Sequence, residues 1–120
     1  ELYRVALERN SRFFPAHYEL AAIADELGDR AAAVAERRLI NQLRPGPASA
    51  VALGQSLRLS GPENYVEAEQ LLSPLAGSSA DAAIELARLY NDAGRPEAAI
   101  SAYQDALRIE DRWLVDGTHY

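Results

Sequence analysis

The 120-residue sequence has no cysteine and only two histidines, His17 and His119. Without cysteine the chain can form neither disulfides nor zinc–thiolate sites. Neither histidine has a second ligand-type residue at the spacing of a known metal motif, and His17 falls at a packing position between helices. The neighbouring acids Asp25, Glu26 and Asp29 are typical of a solvated helix face rather than an acid–base pair. The sequence therefore predicts no catalytic residue, no metal site and no cofactor.

Positive charge and long apolar runs are also scarce. The net charge is -6 and the isoelectric point is about 4.8, which disfavours nucleic acid as a partner because such binding depends on cationic contacts. No apolar run approaches the roughly 20 residues that span a bilayer, so we expect no membrane insertion of this region. All twelve basic residues are arginine, and this bias, with abundant alanine, favours a bacterial source. The lack of cysteine is compatible with the periplasm or the cytoplasm.

What the chain does contain is an internal repeat. A leucine and a glycine each recur every 33 residues, at Leu20, Leu53 and Leu86 and at Gly28, Gly61 and Gly94. Small residues follow each leucine at Ala21, Gly54 and Ala87, and alanines recur at Ala33, Ala68 and Ala99. This spacing predicts helical hairpins whose first helices end at a left-handed glycine and whose helices cross at small residues.

The pattern resembles the tetratricopeptide repeat, a helix-turn-helix unit. The signature positions are best matched by Ala83, Leu86, Ala87, Tyr90, Gly94, Ala99, Tyr103 and Ala106. The resemblance implies an all-α fold, a right-handed superhelical solenoid. Its units would be 1–13 (the second helix of a truncated repeat), 14–46, 47–79 with a lengthened turn, 80–112, and 113–120 as a tail or the start of a further helix.

Seven helices are expected, near residues 2–10, 15–27, 30–43, 47–60, 63–76, 79–92 and 96–109. Proline within a helix removes a hydrogen bond and clashes with the preceding turn. The fifth helix should therefore bend or end near Ser73, just before Pro74.

The resemblance also implies a binding surface, since first helices of this family line a concave groove and second helices form the convex back. The residues it places there as partner contacts are Tyr18, Asp25, Glu26, Gln55, Arg58, Arg88, Asn91 and Asp92. Arg58 and Arg88 would favour an acidic partner. Arg37, Arg38 and Arg44, on a second helix, are expected on or near the convex side, as a solvated face or a docking patch.

The implied function is a non-catalytic scaffold that binds a protein or peptide. Asp81 and Glu85 stand where family members that grip a chaperone carboxylate need cations, so that clamp is excluded. Degenerate, alanine-rich repeats are similar to periplasmic arrays that recruit enzymes to bacterial exopolysaccharide export pores. A spacer within a long superhelix and a cytoplasmic adaptor for a peptide are the alternatives, and the exposed ends of an array could also self-associate.

Overall fold

The structure, a computed structural model, describes residues 14–116 and the side chains of residues 15–111. Within these residues the chain forms α-helices and short 3-10 turns and no strand. The α-helices are α1 (Phe14–Leu27), α2 (Arg30–Leu43), α3 (Pro47–Ser60), α4 (Tyr65–Leu72), α5 (Ala80–Asp92) and α6 (Pro96–Asp116). The predicted all-α array of hairpins is confirmed, while the helix expected near residues 2–10 lies outside the described residues.

Packing follows the order of the chain. Each helix contacts the next one, and α3 and α4 both contact α5. First helix therefore stacks on first helix in the second and third hairpins, which is the arrangement of a helical-repeat solenoid. The core between these hairpins is formed by leucines and alanines of α3, α4 and α5.

Two of the three repeat glycines end their helices as predicted. Gly28 and Gly94 have φ values of +73° and +77°, a region that side chains with a Cβ rarely adopt. After each glycine the next amide closes the helix end: Asp29 N donates to Ala24 O at 2.8 Å, and Arg95 N donates to Tyr90 O at 2.9 Å. These bonds belong to the Schellman motif, which satisfies carbonyls left free at a helix end.

Gly61 departs from the prediction. It has φ 129° and ψ 168°, which is not the left-handed helical conformation but is still a region reserved for glycine. The reason is the next residue, Pro62, which has no N–H and so cannot donate the second Schellman bond. The chain instead passes into a 3-10 turn, Pro62–Asn64, before α4 begins at Tyr65.

Helices cross at the small residues that the repeat predicted. Ala33, Ala68 and Ala99 are buried, as are Ala21, Gly54 and Ala87. At Gly54 the approach is so close that a Cβ would lie 2.8 Å from Leu72 Cδ1. Any side chain at Gly54 would therefore displace the fully buried Leu72.

Pro74 interrupts its helix where the sequence predicted. The α4 helix ends at Leu72, and residues Ser73–Leu75 form a 3-10 turn closed by Ala76 N donating to Ser73 O. The last helix differs from the prediction. It was expected to end near Ile109, with a tail or the start of a further helix at 113–120, but α6 continues to Asp116 because no glycine or proline follows Pro96 before Gly117.

A polar link joins α4 to α5 and to the turn after it. Tyr90 OH donates to Glu69 Oε2 at 2.9 Å, and the Arg95 guanidinium lies 4.7 Å from the centre of the Tyr90 ring. Burial of the phenol and its hydrogen bond to Glu69 both raise the pKa of Tyr90, against a smaller opposing effect of Arg95. The neutral phenol is thus favoured in the folded state.

We expect Leu53→Ala to lower the free energy of unfolding by about 2 to 5 kcal/mol, because it opens a cavity beside the buried α3–α5 contact. Leu86→Ala should behave in the same way. The matched control is Leu59→Ala, on the same helix as Leu53 but 45% exposed, which should cost within about 0.5 kcal/mol. Urea unfolding followed by circular dichroism measures the difference, and equal losses at Leu53 and Leu59 would contradict this packing register.

Tyr90 should make stability depend on alkaline pH. Its pKa is higher in the folded than in the unfolded state, so its contribution is fully present below pH about 10 and is lost as the pH rises through the folded-state pKa. The stability advantage of the parent over Tyr90→Phe should therefore be constant up to about pH 9 and shrink as the pH rises above about 10. Tyr103→Phe, at an exposed tyrosine of α6, is the control. An advantage that grows with pH would show that the sign is wrong.

Candidate functional site

Arg58 connects two first helices. From α3 its Nε donates to Glu85 Oε2 at 2.6 Å, and its Nη1 donates to Asp92 Oδ2 at 3.0 Å, both on α5. Arg88 also approaches Glu85, with Nη1 3.5 Å from Oε1. Of the predicted partner contacts, the structure thus brings Arg58 and Arg88 to the Glu85 carboxylate, which was not predicted as part of the site, and Asp92 to Arg58.

That carboxylate is buried, since the Glu85 side chain is only 2% exposed. Burial alone would lower the pKa of Arg58, but the hydrogen bonds and charges of Glu85 and Asp92 outweigh it and raise that pKa. The guanidinium remains charged and pairs with the buried Glu85 carboxylate, a group that is costly to bury without a cation. Arg58 is therefore a structural cation with two carboxylate partners in this fold.

At the other end of the array, Arg37 joins three helices. Its Nη2 lies 2.8 Å from Asp25 Oδ2 on α1, and its Nη1 donates to Ser56 Oγ on α3 at 2.7 Å. The Arg37 side chain thus reaches two first helices, whereas Arg38, the next residue, pairs with Glu67 on the second helix α4, and the convex position of these arginines stays a prediction. Successive helix residues point about 100° apart, so these two arginines reach different sides of α2.

The remaining predicted contacts are accessible. Glu26, Gln55, Arg88 and Asn91 are exposed, and Tyr18 is 49% exposed. Tyr18 also lines a shallow cleft of about 190 Å³, together with Arg37, Ile40, Ala48, Ser49 and Ala52. Asp25 and Asp92 are occupied by arginines. The partner-contact role of all eight residues stays a prediction.

Sequence reasoning missed two buried acids, Glu85 and Glu36. His17 is buried between helices as predicted, and its Nδ1 lies 2.8 Å from Glu36 Oε1 on α2. A signal for Glu85 was present: it shares a helical stripe with Ala82 and Leu89, which are both buried. An acid in an apolar stripe requires a cation, but the helical period does not indicate which arginine supplies it.

The described residues contain no group of three or more histidine, cysteine or acidic side chains placed to hold a metal ion. Over the same part of the chain, no helix combines the length and the apolar character needed to cross a bilayer.

One family model matches the last hairpin. Residues 80–112 are similar to the tetratricopeptide repeat. The matched segment covers α5 and most of α6, and it contains the best-matched signature found in the sequence. No curated protein matched the chain, so the resemblance to exopolysaccharide export arrays stays a prediction, as do the unit boundaries at 14–46 and 47–79.

We expect Arg58→Gln to lower the free energy of unfolding by about 3 kcal/mol, because it leaves the buried Glu85 carboxylate without its close cation. The control is Arg88→Gln, at an exposed arginine 3.5 Å from the same carboxylate, which should cost within about 1 kcal/mol.

A double variant tests the same ion pair. Glu85→Gln combined with Arg58→Gln removes both charges, so most of the stability lost in Arg58→Gln should return. Thermal and urea unfolding measure all four proteins. If Arg58→Gln costs no more than Arg88→Gln, the pair does not hold α3 against α5.

Proposed function

We propose that this region is a non-catalytic protein–protein interaction scaffold whose first helices hold a protein or peptide partner. The tetratricopeptide match supports this function, because such repeats typically bind protein or peptide partners. The observation that carries the proposal is the double contact of Arg58, which fixes α3 beside α5 and so joins their exposed faces into one surface.

The chemistry of that surface suits recognition of a polypeptide. Gln55 lies one turn before Arg58 on α3, and Arg88 and Asn91 lie near Asp92 on α5. Two side-chain amides and one guanidinium offer several donors and two acceptors to the backbone of a bound segment. Because Arg58 already pairs with Glu85 and Asp92, it can fix the distance between these groups without having to contact the partner.

Recruitment of polymer-modifying enzymes to a bacterial exopolysaccharide export complex is a more specific form of this proposal. Its support is limited to the arginine and alanine bias and the degenerate repeats of the sequence. The spacer function remains the alternative, and it differs in one respect: a spacer needs no partner on the first helices.

Site-specific photocrosslinking tests the proposal. A benzophenone amino acid replaces Gln55 on α3 or, as the matched control, Gln70 on the second helix α4; both glutamines are exposed. The two labelled chains are irradiated in bacterial cell-envelope extract. We expect a discrete crosslinked partner from Gln55 and not from Gln70. Crosslinking only from Gln70 would place the interaction on the second helices, and none from either position would favour the spacer.

A further inference from the structure

Among the described residues, ion pairs engage a larger share of the arginines than of the acids. Ion pairs with carboxylates engage Arg30, Arg37, Arg38, Arg58, Arg88, Arg95 and Arg108. Arg44 is engaged as well. By contrast, Asp81 and Glu110 form no ion pair within the described part of the chain, and both are exposed. The described arginines are therefore engaged within the chain, although several stay solvent-exposed, and the charge left unpaired on this side is negative.

These two acids lie at a pair of neighbouring surface clefts. A cleft of about 400 Å³ lies between the beginnings of α3 and α5 and is lined by Pro47, Ala48, Val51, Ser79 and Asp81. A second cleft, of about 580 Å³, shares Pro47, Ser79 and Asp81 with the first and extends to Ile109 and Glu110 on α6. We call the two together the acidic cleft. Its apolar walls are Pro47, Val51 and Ile109, and its charged groups are Asp81 and Glu110.

We infer that the acidic cleft binds a lysine- or arginine-containing segment of a partner protein. The aliphatic stem of such a side chain would pack on Pro47, Val51 or Ile109, and its charged head would meet Asp81 and Glu110. The inference rests on the proposed function and names the chemistry of the partner. Val51 lies one turn before Gln55 on α3, so the cleft continues the proposed binding surface toward the beginnings of the first helices.

The helix dipoles at the cleft oppose the binding of a cation, but they do not cancel the negative charge of the two acids. The cleft lies at the amino-terminal turns of α3 and α5, and each such turn carries a partial positive charge of about half a unit that falls off within that turn. Asp81, in the first turn of α5, offsets it with a full negative charge. Glu110 lies well inside α6, where no such positive end is present, so its charge adds to a net negative cleft.

Charge complementarity also favours a cationic segment over the other possible occupants of the cleft. A second copy of the chain would bring a net charge of -6 and engaged arginines, so its approach to the cleft would be repulsive. An acidic partner would need free cations, and Arg58, the central candidate, is held by Glu85 and Asp92. A cationic segment with apolar side chains is the occupant that complements both the walls and the charges.

Three labelled peptides, differing only in their polar residue, test the inference against the full chain by fluorescence anisotropy. One alternates leucine with lysine, one leucine with glutamate and one leucine with glutamine. We expect the lysine peptide to bind most tightly and to weaken as salt is added. Asp81→Asn combined with Glu110→Gln should weaken it about five- to tenfold, the loss of two partly exposed charge pairs.

The matched control makes the same charge change outside the cleft. Glu97→Gln combined with Asp111→Asn alters two exposed acids of α6 that do not line it, and should change binding by less than about twofold. Circular dichroism establishes that both double variants keep the parent fold.

Each contrary result has a distinct meaning. Equal weakening by both double variants would show general charge attraction and overturn the cleft assignment. Tighter binding of the glutamate peptide would overturn the inference of a cationic partner. If the parent forms dimers in sedimentation and the variant Arg88→Gln does not, the occupant of this surface is a second copy of the chain. Failure of all three peptides rejects the inference, whereas the proposed function is judged separately by crosslinking from Gln55.

Discussion

The close approach of helices at their crossing points is the constraint on which the array depends. At Gly54 there is no room for a single carbon beyond the backbone, because Leu72 occupies that space. Elsewhere the crossings are made by alanines such as Ala33, Ala68 and Ala99. Alanine loses no rotamer freedom when it is buried, so each contact contributes modest apolar area at little entropic cost. Stability must then come from many such contacts between neighbouring helices.

Close packing leaves few places for a charge, and the chain uses those places to join neighbours. Glu85 is enclosed among apolar residues and reaches Arg58 on the adjacent first helix. A buried ion pair adds little net stability compared with apolar packing, but it penalises any arrangement that separates the partners. The pair therefore specifies how one hairpin sits on the next. Because most of the described arginines pair with acids in such contacts, the acids without a partner set the charge of the surface that a partner would meet.

The repeat predicted most of the fold because its signals are local. The glycine stops, the small residues and Pro74 act within one or two turns, so they could be read directly from the chain. Even the exception at Gly61 had a local cause in Pro62. The candidate site was less accessible to such reasoning. Arg58 meets an acid 27 residues away and Arg37 meets a serine 19 residues away, and neither pairing follows from a helical period. Which predicted groove residues were free and which were occupied depended on these distant partners.

The α4 helix ends only after its closest contact with α3 has been made. The helix ends at Leu72, the residue that fills the space beside Gly54, so the tight contact is complete before the proline turn begins. Beyond it, Gly77 and Ser78 are exposed, and a side chain added at Gly77 would meet nothing within 4 Å. Residues inserted at this loop would leave the buried crossings intact. They would alter the wall of the acidic cleft at Ser78. A change in the length of this loop would therefore change the shape of the cleft while the helices of the hairpins stay as they are.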